Sequence, residues 1–390
     1  MMNVLYLDWP CFKGEDLCYT LQHDFGFRLM KFSHPDYSER ISDDFLEKFD
    51  EICEREQIDF CISYNFFPLL AEGAHRHSIK YISLVYDCPF VKLYSYRITY
   101  PTNYVFLFDY TLYHTLKNGG IPTVYYSTLP VNADMIQILL DEPYDKERFS
   151  ADVSFVGSLY NEEHNLFDRM YNRLDDYTKG YLDSIMQAQL RVQGYNFIEE
   201  MLTPPIIEAL HKAEPYQNNP DGVETLANIY ADYYIDRKLT SMERMQLLSA
   251  VSGQFHLKLF TKDPKAAIAG ADNQGPVDYY MEMPYIFHDS KINLNISLRS
   301  IRSGIPLRCM DIMGCGGFLL TNYQNDFLMH FTPEEDFVYY EDEADLLKKI
   351  DYYLEHDDIR TKIAANGYEK VRSEHNFQTI LSTIFSTANI

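Results

Sequence analysis

The sequence predicts an α/β protein of two doubly wound domains in series, each on a parallel sheet, with a helical insertion in the second. Three observations carry this reading. Short apolar runs of strand character alternate with amphipathic stretches over roughly the first third of the chain. The same alternation returns in the last third. Between them, residues 162–251 keep helical spacing alone. Strands and helices alternating at this interval lead to parallel sheets covered by helices. The 390 residues exceed one simple core and suit two domains.

Residues 4–8 read as the first buried strand, and 29–32, 60–64, 81–86, 104–109 and 123–126 read likewise. Ser42 is placed to cap a helix over 42–55, in which Glu47 and Glu51 share a face. Residues 129–150, with Pro130 and an acidic stretch at 141–147, read as linker. The expected division is a first domain over 1–132, a linker over 133–150 and a second domain over 151–375. A strand at 153–157 opens the second domain. The insertion, about 162–251, is rich in Leu, Met, Tyr and charge and is broken at Pro204–Pro205 and around 218–222, so it reads as several helices. Its spacing fits acceptor binding, homodimerisation or plain packing, and packing is expected. Strands resume at 255–260, 292–296, 317–320 and 337–340, with helices over 343–355 and 359–374. A last helix in 376–390 is expected to pack back on the first domain. Ligands of such sheets bind beyond the carboxyl ends of the strands, here in the cleft between the domains.

Composition narrows the function. With 34 Lys+Arg against 58 Asp+Glu the formal charge is −24, which repels phosphate backbones and anionic membranes. No nucleic-acid partner is expected, although a local basic pocket for one diphosphate remains compatible. The seven cysteines show no metal-site spacing, and the odd count without a leader sequence predicts a reducing, cytoplasmic setting. No apolar run reaches membrane-spanning length. No metal is expected: Asp175–Asp176 and Asp357–Asp358 sit in helical or loop contexts and read as solvated acids.

The most informative stretch is 291–321, KINLNISLRSIRSGIPLRCMDIMGCGGFLLT. A strand at 292–296 leads into a polar loop with Arg299, Arg302, Ser303 and Gly304. A helix then starts near Pro306, carries Arg308 and Asp311, and ends at a glycine turn before a strand at 318–320 closed by Thr321. A helix N-terminus with arginines nearby suits a diphosphate. Gly304 would let the backbone approach a ligand. Asp311, one turn in, is placed to hold ribose hydroxyls. The same residues also fit an amphipathic helix with a solvated Arg and Asp ahead of a glycine turn.

Here the sequence resembles the spore-maturation CgeB-like glycosyltransferases, a bacterial branch of the group 1 glycosyltransferases. The likeness rests on K-I-N-L-N at 291–295, S-G-I-P-L-R at 303–308 and D-I-M-G-C-G-G-F-L-L-T at 311–321. It continues through I-A-A-N-G-Y-E-K-V-R-S-E-H at 363–375. In the first domain it rests on S-Y-N-F-F-P at 63–68, Y-I-S-L-V-Y-D-C-P at 81–89 and N-Y-V-F-L-F-D at 103–109. The resemblance implies a GT-B fold of two Rossmann-like domains and a glycan-building enzyme that needs no cofactor. It implies a nucleoside-diphosphate sugar donor, UDP-linked or similar, on the C-terminal domain and a glycan or protein acceptor on the N-terminal one. Of the two acids common at group 1 donor sites, the second falls on Asp311 and the first on Ser303, a departure from the pattern. Arg308 would neutralise the diphosphate, with Asn295, Ser303, Gly304, Thr321 and the Gly316–Gly317 turn around the same pocket.

Other positions complete the expected site. Gly157 and Ser158 follow the first strand of the second domain, where a glycine loop would face donor phosphates. Tyr279 and Tyr280 precede Met283–Pro284, where the resemblance suggests base contacts; stacking and core packing both suit Tyr. Asp8, Asp87 and Asp109 each end a predicted strand. An inverting transferase needs a base for the acceptor hydroxyl, and Asp87 is preferred, with Asp8 second. Two other readings fit this architecture: a nucleotide-sugar-binding protein without turnover, which Ser303 favours, and a sugar epimerase or phosphorylase.

Overall fold

The computed structural model describes residues 1–161, 165–262 and 268–390. The chain divides into two compact units: unit 1 is Met1–Pro130 with Gln217–Thr225 and Phe377–Ile390, and unit 2 is Val131–Tyr216 with Leu226–Asn376. Glu162, the expected start of the insertion, lies outside the described residues.

Unit 1 is built on a parallel sheet of β1 (Asn3–Leu7), β2 (Arg28–Phe32), β3 (Phe60–Tyr64), β4 (Lys80–Val85), β5 (Asn103–Leu107) and β6 (Val124–Tyr126). Their order is β2-β1-β3-β4-β5-β6. Because side chains alternate along a strand, β1 feeds two cores: Leu5 and Leu7 pack on one face, Val4 and Tyr6 on the other. The first face is covered by helix Asp43–Arg55, whose N-cap Ser42 accepts from the Phe45 amide at 3.1 Å. The second face receives the C-terminal helix Phe377–Ala388, where Phe385 packs edge-on to Phe25 at 5.0 Å.

Unit 2 repeats the plan with β7 (Val153–Val156), β8 (Leu257–Phe260), β9 (Asp272–Asn273), β10 (Ile292–Asn295), β11 (Leu319–Asn322) and β12 (Val338–Tyr340). The order is β12-β11-β10-β7-β8-β9, again all parallel. From β7 the chain winds one way through β8 and β9, and from β10 it winds the other way through β11 and β12. The winding therefore reverses between β7 and β10, the place where doubly wound sheets open a crevice at their carboxyl ends.

Two expectations change in detail. Residues 133–150, read as linker, form helices Ala133–Leu140 and Lys146–Phe149 and belong to unit 2. Asn132 and Asp145 cap them, and Val131 and Phe149 are buried, so the acidic composition reflects solvated faces of short helices. The insertion also does not stay in one unit. Its Asn- and Gly-containing turn, Gln217–Thr225, belongs to unit 1, where buried Asp221 pairs with Arg40 at 3.2 Å and Arg97 at 3.1 Å. Most of the rest, among the described residues, is helical and includes a six-residue π segment, Tyr230–Ile235, that runs into helix Asp236–Ser252. Pro204 opens helix Pro204–Ala213 rather than breaking one, since a first-turn proline loses no hydrogen bond. No helix among the described residues is long and apolar enough to cross a membrane.

Candidate functional site

The reversal between β7 and β10 is held by a residue that sequence inspection missed. Arg244, on helix Asp236–Ser252, is almost fully buried. Its Nε donates to the Ile296 carbonyl at 3.1 Å, just past β10, and its Nη1 donates to the Ser158 carbonyl, just past β7. The guanidinium lies over the rings of Phe155 at 5.4 Å and Tyr160 at 4.9 Å. Burial pushes its pKa down to about 10. In sequence it is one basic residue on a polar helix, indistinguishable from a solvated one.

Beside Arg244 the structure brings together four expected residues. Arg308, half-buried in the first turn of helix Leu307–Gly314, donates from Nη1 to Asn295 Oδ1 at 3.1 Å. Asn295 Nδ2 donates in turn to Thr321 Oγ1 at 2.9 Å and Ser297 Oγ at 3.1 Å. Asn295 and Thr321 are opposite each other on β10 and β11 and are fully buried. Gly157 completes the group: a Cβ there would lie 2.7 Å from Arg308 Nη2. Only glycine lets the guanidinium rest against the end of β7. No described side chain caps the helix that carries Arg308, so its first-turn amides and the guanidinium share one neighbourhood. Ser158 contributes a turn: its Oγ accepts from the Tyr160 amide at 3.1 Å.

Other expected residues fall elsewhere. Asp311 is buried one turn along the helix and accepts from the Tyr279 hydroxyl at 2.9 Å. Tyr280 packs edge-on to Tyr279 at 5.0 Å. Ser303 and Gly304 are buried, and the Ser303 carbonyl accepts from the Asp326 amide at 3.0 Å. Gly316 and Gly317 precede β11, at the amino end of the sheet, away from Arg308. Gly316 has φ 72°, a left-handed turn, and a Cβ on Gly317 would stand 2.3 Å from the Phe287 carbonyl oxygen. The arginines of the 296–306 loop are not phosphate ligands in waiting. Arg299 is held by Glu243 through two bonds of 2.8 and 2.6 Å, and Arg302 by Asp232 at 2.8 Å. Both acids come from the insertion, which sequence spacing could not pair with this loop.

In unit 1 the winding reverses between β1 and β3, and Trp9 Nε1 donates across it to the Tyr64 carbonyl at 3.1 Å. Asp8 follows β1 and accepts from Ser33 Oγ at 3.3 Å. Asp87 follows β4 and is clamped by Asn65, a residue in the left-handed region at φ 56°. Asn65 Nδ2 donates to Asp87 Oδ2 at 2.7 Å, while its Oδ1 accepts the amides of Tyr86 at 3.1 Å and Asp87 at 3.2 Å. Burial raises the Asp87 pKa, against the lowering effects of Asn65 and the Lys92 charge. Lys92 lies over the Phe67 ring at 4.6 Å, and burial pushes its pKa down to about 8. Asn65 stands inside the S-Y-N-F-F-P motif, between a strand and a proline, which was its only sequence signal. Asp109 is spent on structure, capping helix Tyr110–Asn118 by accepting from the Leu112 amide at 2.9 Å. His34, Asp36 and Asp44 place one ligand atom each within 4.8 Å of one another. Ser42 already donates to Asp36 at 2.7 Å and Lys48 to Asp44 at 2.8 Å, so this cluster is accounted for by its own network.

Comparisons with known proteins bear on the fold and on part of the chain. Residues 237–386 match the family described as "Glycosyl transferase-like". No curated protein matches the chain. Among solved structures, the chain is similar over 100% of its length to sucrose-phosphate synthase from Thermosynechococcus elongatus, covering 98% of that chain at 11% identity and TM-score 0.51. It is similar to Anabaena Alr3699/HepE in complex with UDP-glucose, with 100% of both chains covered, 9% identity and TM-score 0.54. It is also similar to an α-glucosyltransferase in complex with UDP and a 13-mer DNA, with 100% of both chains covered, 10% identity and TM-score 0.50. The two parallel six-stranded sheets with their helices are those of GT-B glycosyltransferase structures.

Proposed function

We propose that the chain is a glycosyltransferase that moves a sugar from a nucleoside-diphosphate sugar, UDP-linked, to a hydroxyl of a glycan or protein. The observation that carries this reading is the convergence of Arg308, Asn295, Thr321 and Gly157 where the unit 2 sheet reverses its winding. A cation held against a glycine at a helix start is suited to a diphosphate, whose charge grows as the sugar leaves. The match of residues 237–386 to a glycosyltransferase-like family supports the same assignment. The complexes of two structural neighbours with UDP or UDP-glucose favour uridine as the base. The motif resemblance favours the CgeB-like branch and bacterial glycan building. Seven free thiols fit a reducing, cytoplasmic setting.

In this reading Arg308 and the first-turn amides face the diphosphate, Asp311 with Tyr279 takes the ribose, and no metal or cofactor is needed. The acceptor oxygen attacks the anomeric carbon, the bond to the phosphate oxygen breaks, and the nucleoside diphosphate leaves. In an inverting course Asp87, oriented by Asn65, takes the acceptor proton, with Asp8 second in line; a retaining course needs no such base. The second reading, donor binding without turnover, draws on Ser303, where an acid is expected and a buried serine stands.

A thermal-shift and hydrolysis screen of nucleotide sugars on the wild type and Asp311→Ala separates these readings. A donor that stabilises the wild type, loses its effect in the variant and is slowly hydrolysed supports the transferase. Stabilisation without turnover, acceptors included, supports the binding protein. No stabilisation by any nucleotide removes the assignment of Arg308 and Asp311.

A further inference from the structure

We propose that the carboxyl end of the unit 1 sheet binds a saccharide that carries an anionic group, and that Lys92 selects it. The choice of a saccharide rests on the transferase reading; the need for an anion does not. The segments after four neighbouring strands, β2, β1, β3 and β4, come together here. They supply Tyr37, Trp9, Phe67 and the pair Asp87 and Phe90, with Lys92 just beyond. Phe67 is the buried hub: Trp9 packs edge-on to it at 5.4 Å and Tyr37 at 5.6 Å, and the Lys92 ammonium lies over its ring at 4.6 Å. Trp9, Tyr37, Asp87, Phe90 and Lys92 are half-buried, so each also shows part of its surface to solvent.

What singles out Lys92 is that no acid holds it. Arg40 nearby is paired with Asp221 at 3.2 Å and donates to the Val91 carbonyl at 3.0 Å. Arg97 is paired with Glu72 and with Asp221, each at 3.1 Å. Among the described residues Lys92 has neither a hydrogen bond nor an ion pair; its contacts are the Phe67 ring and the Phe90 ring at 6.0 Å. Glu39 and Asp87 draw on its charge from beyond contact, and Arg40 opposes them. A half-buried ammonium without a counterion is costly, because rings return only part of the hydration it gives up. Burial accordingly pushes its pKa down to about 8. An arriving anion would supply the partner that the chain, for all its excess of acids, does not place there.

The rest of the site suits a sugar. A pyranose joins an apolar face of C–H bonds to a rim of hydroxyls, which matches half-exposed rings beside polar groups. Asp87 gives Oδ2 to Asn65 at 2.7 Å, and among the described residues no other side chain bonds its carboxylate, so Oδ1 is open to a ligand hydroxyl. Asp87 and Lys92 act on each other's charge without touching. A ligand between them sets a hydroxyl at Asp87, the candidate base, and its anionic group at Lys92. That group is a carboxylate, as on a uronic acid, or a phosphate ester; a compact ammonium takes either.

Trp9, the sole tryptophan, reports occupancy by its fluorescence. Glucose, glucuronate, glucose 6-phosphate and inorganic phosphate would be titrated into wild type, Lys92→Met, Lys92→Arg and Arg308→Ala, with saturation-transfer NMR on the same samples and UDP affinity measured alongside. The wild type should bind one or both charged sugars at least tenfold tighter than glucose. Glucuronate ahead assigns a carboxylate, glucose 6-phosphate ahead a phosphate ester. Lys92→Met should lose the preference with UDP affinity unchanged, Lys92→Arg should keep it, and Arg308→Ala should keep it while losing UDP. In the wild type the preference should weaken from about pH 8 upward, where free Lys92 gives up its proton, and in Lys92→Arg it should persist. No sugar bound, no preference for the charged sugars, an undiminished preference in Lys92→Met, or inorganic phosphate bound as tightly as glucose 6-phosphate overturns the inference. So does binding seen by NMR without a Trp9 response, which places the ligand elsewhere. A wild type that shows the preference but does not bind UDP overturns the transferase reading and leaves the role of Lys92 standing; one that binds UDP without the preference does the converse.

Discussion

At the residue scale, what decides the site is who holds each arginine. The loop after β10 offers Arg299 and Arg302 and the next helix offers Arg308, and sequence spacing treats them alike. The structure separates them by their partners: carboxylates for the first two, a neutral amide and a glycine for the third. Gly157→Ala tests the contact from the other side. The added methyl must displace the Arg308 head and also strains a backbone held at φ 155°, so UDP affinity should fall about tenfold, roughly 1.4 kcal/mol, and urea unfolding should show a further loss of about 1–3 kcal/mol. Unchanged UDP affinity would detach Arg308 from the ligand. Gly317→Ala is its counterpart at the amino end of the sheet. The methyl collides with the Phe287 carbonyl, and overpacking of about 1–3 kcal/mol should appear in unfolding without a matching loss of UDP contacts. In unit 1, burial raises the Asp87 pKa and the Lys92 charge restrains it. Activity that needs ionised Asp87 rises with pH above the ordinary carboxylate range. Lys92→Met should move that acid limb to higher pH, because the restraining charge is gone; an unmoved limb would show that Asp87 is not the base.

At the scale of elements, the strands at the core were legible because continuous apolar runs announce strands buried on both faces. Strand β9, Asp272–Asn273, was not legible, since two polar residues at a sheet edge carry no periodic signal. The insertion was legible as helices but not as a partner of the 296–302 loop, because contacts between residues more than 50 positions apart leave no mark in spacing. Glu243→Gln breaks a buried pair and should cost about 3–5 kcal/mol in urea unfolding, with Arg299 left uncompensated; a loss below about 1 kcal/mol would mean that solvent reaches the pair. Asp236 adds a pH signature. Burial, then the nearby Asp232 charge, pushes its pKa up to about 7 from an ordinary 3.8. The folded state therefore holds the proton that the unfolded state gives up across this interval. Stability should fall as pH rises from about 4 to about 7, by at most about 1.4 kcal/mol per pH unit for this one group. Asp236→Asn should flatten that slope, as followed by urea midpoints at several pH values. An unchanged slope would place the titration elsewhere.

For the whole molecule, the chain's own ordering of units was only partly visible. The two sheets follow from strand–helix alternation. That Gln217–Thr225 and Phe377–Ile390 belong with the first sheet depends on long-range contacts: the Asp221 ion pairs and the seat of Phe385 against Phe25, Phe27 and Phe60. Ending the chain at Asn376 should uncover an apolar face of unit 1, so the shortened protein should bind a hydrophobic dye and melt earlier; an identical melt would mean that this helix adds nothing to the unit. The candidate site shows the same balance. Arg308, Asn295, Thr321 and Gly157 could be named from motif and position, whereas Arg244, Asn65 and the insertion acids required three dimensions.

The most direct test of the central claim is calorimetric titration of UDP into the wild type, Arg308→Ala and Arg299→Ala. The arrangement at the winding reversal predicts that Arg308→Ala loses tenfold or more in affinity through lost diphosphate contacts, and correspondingly less for uridine than for UDP. Any loss in Arg299→Ala should track its lower folding stability and apply equally to uridine and UDP. Arg308→Ala binding UDP as tightly as the wild type would contradict the assignment of this site to a nucleoside diphosphate.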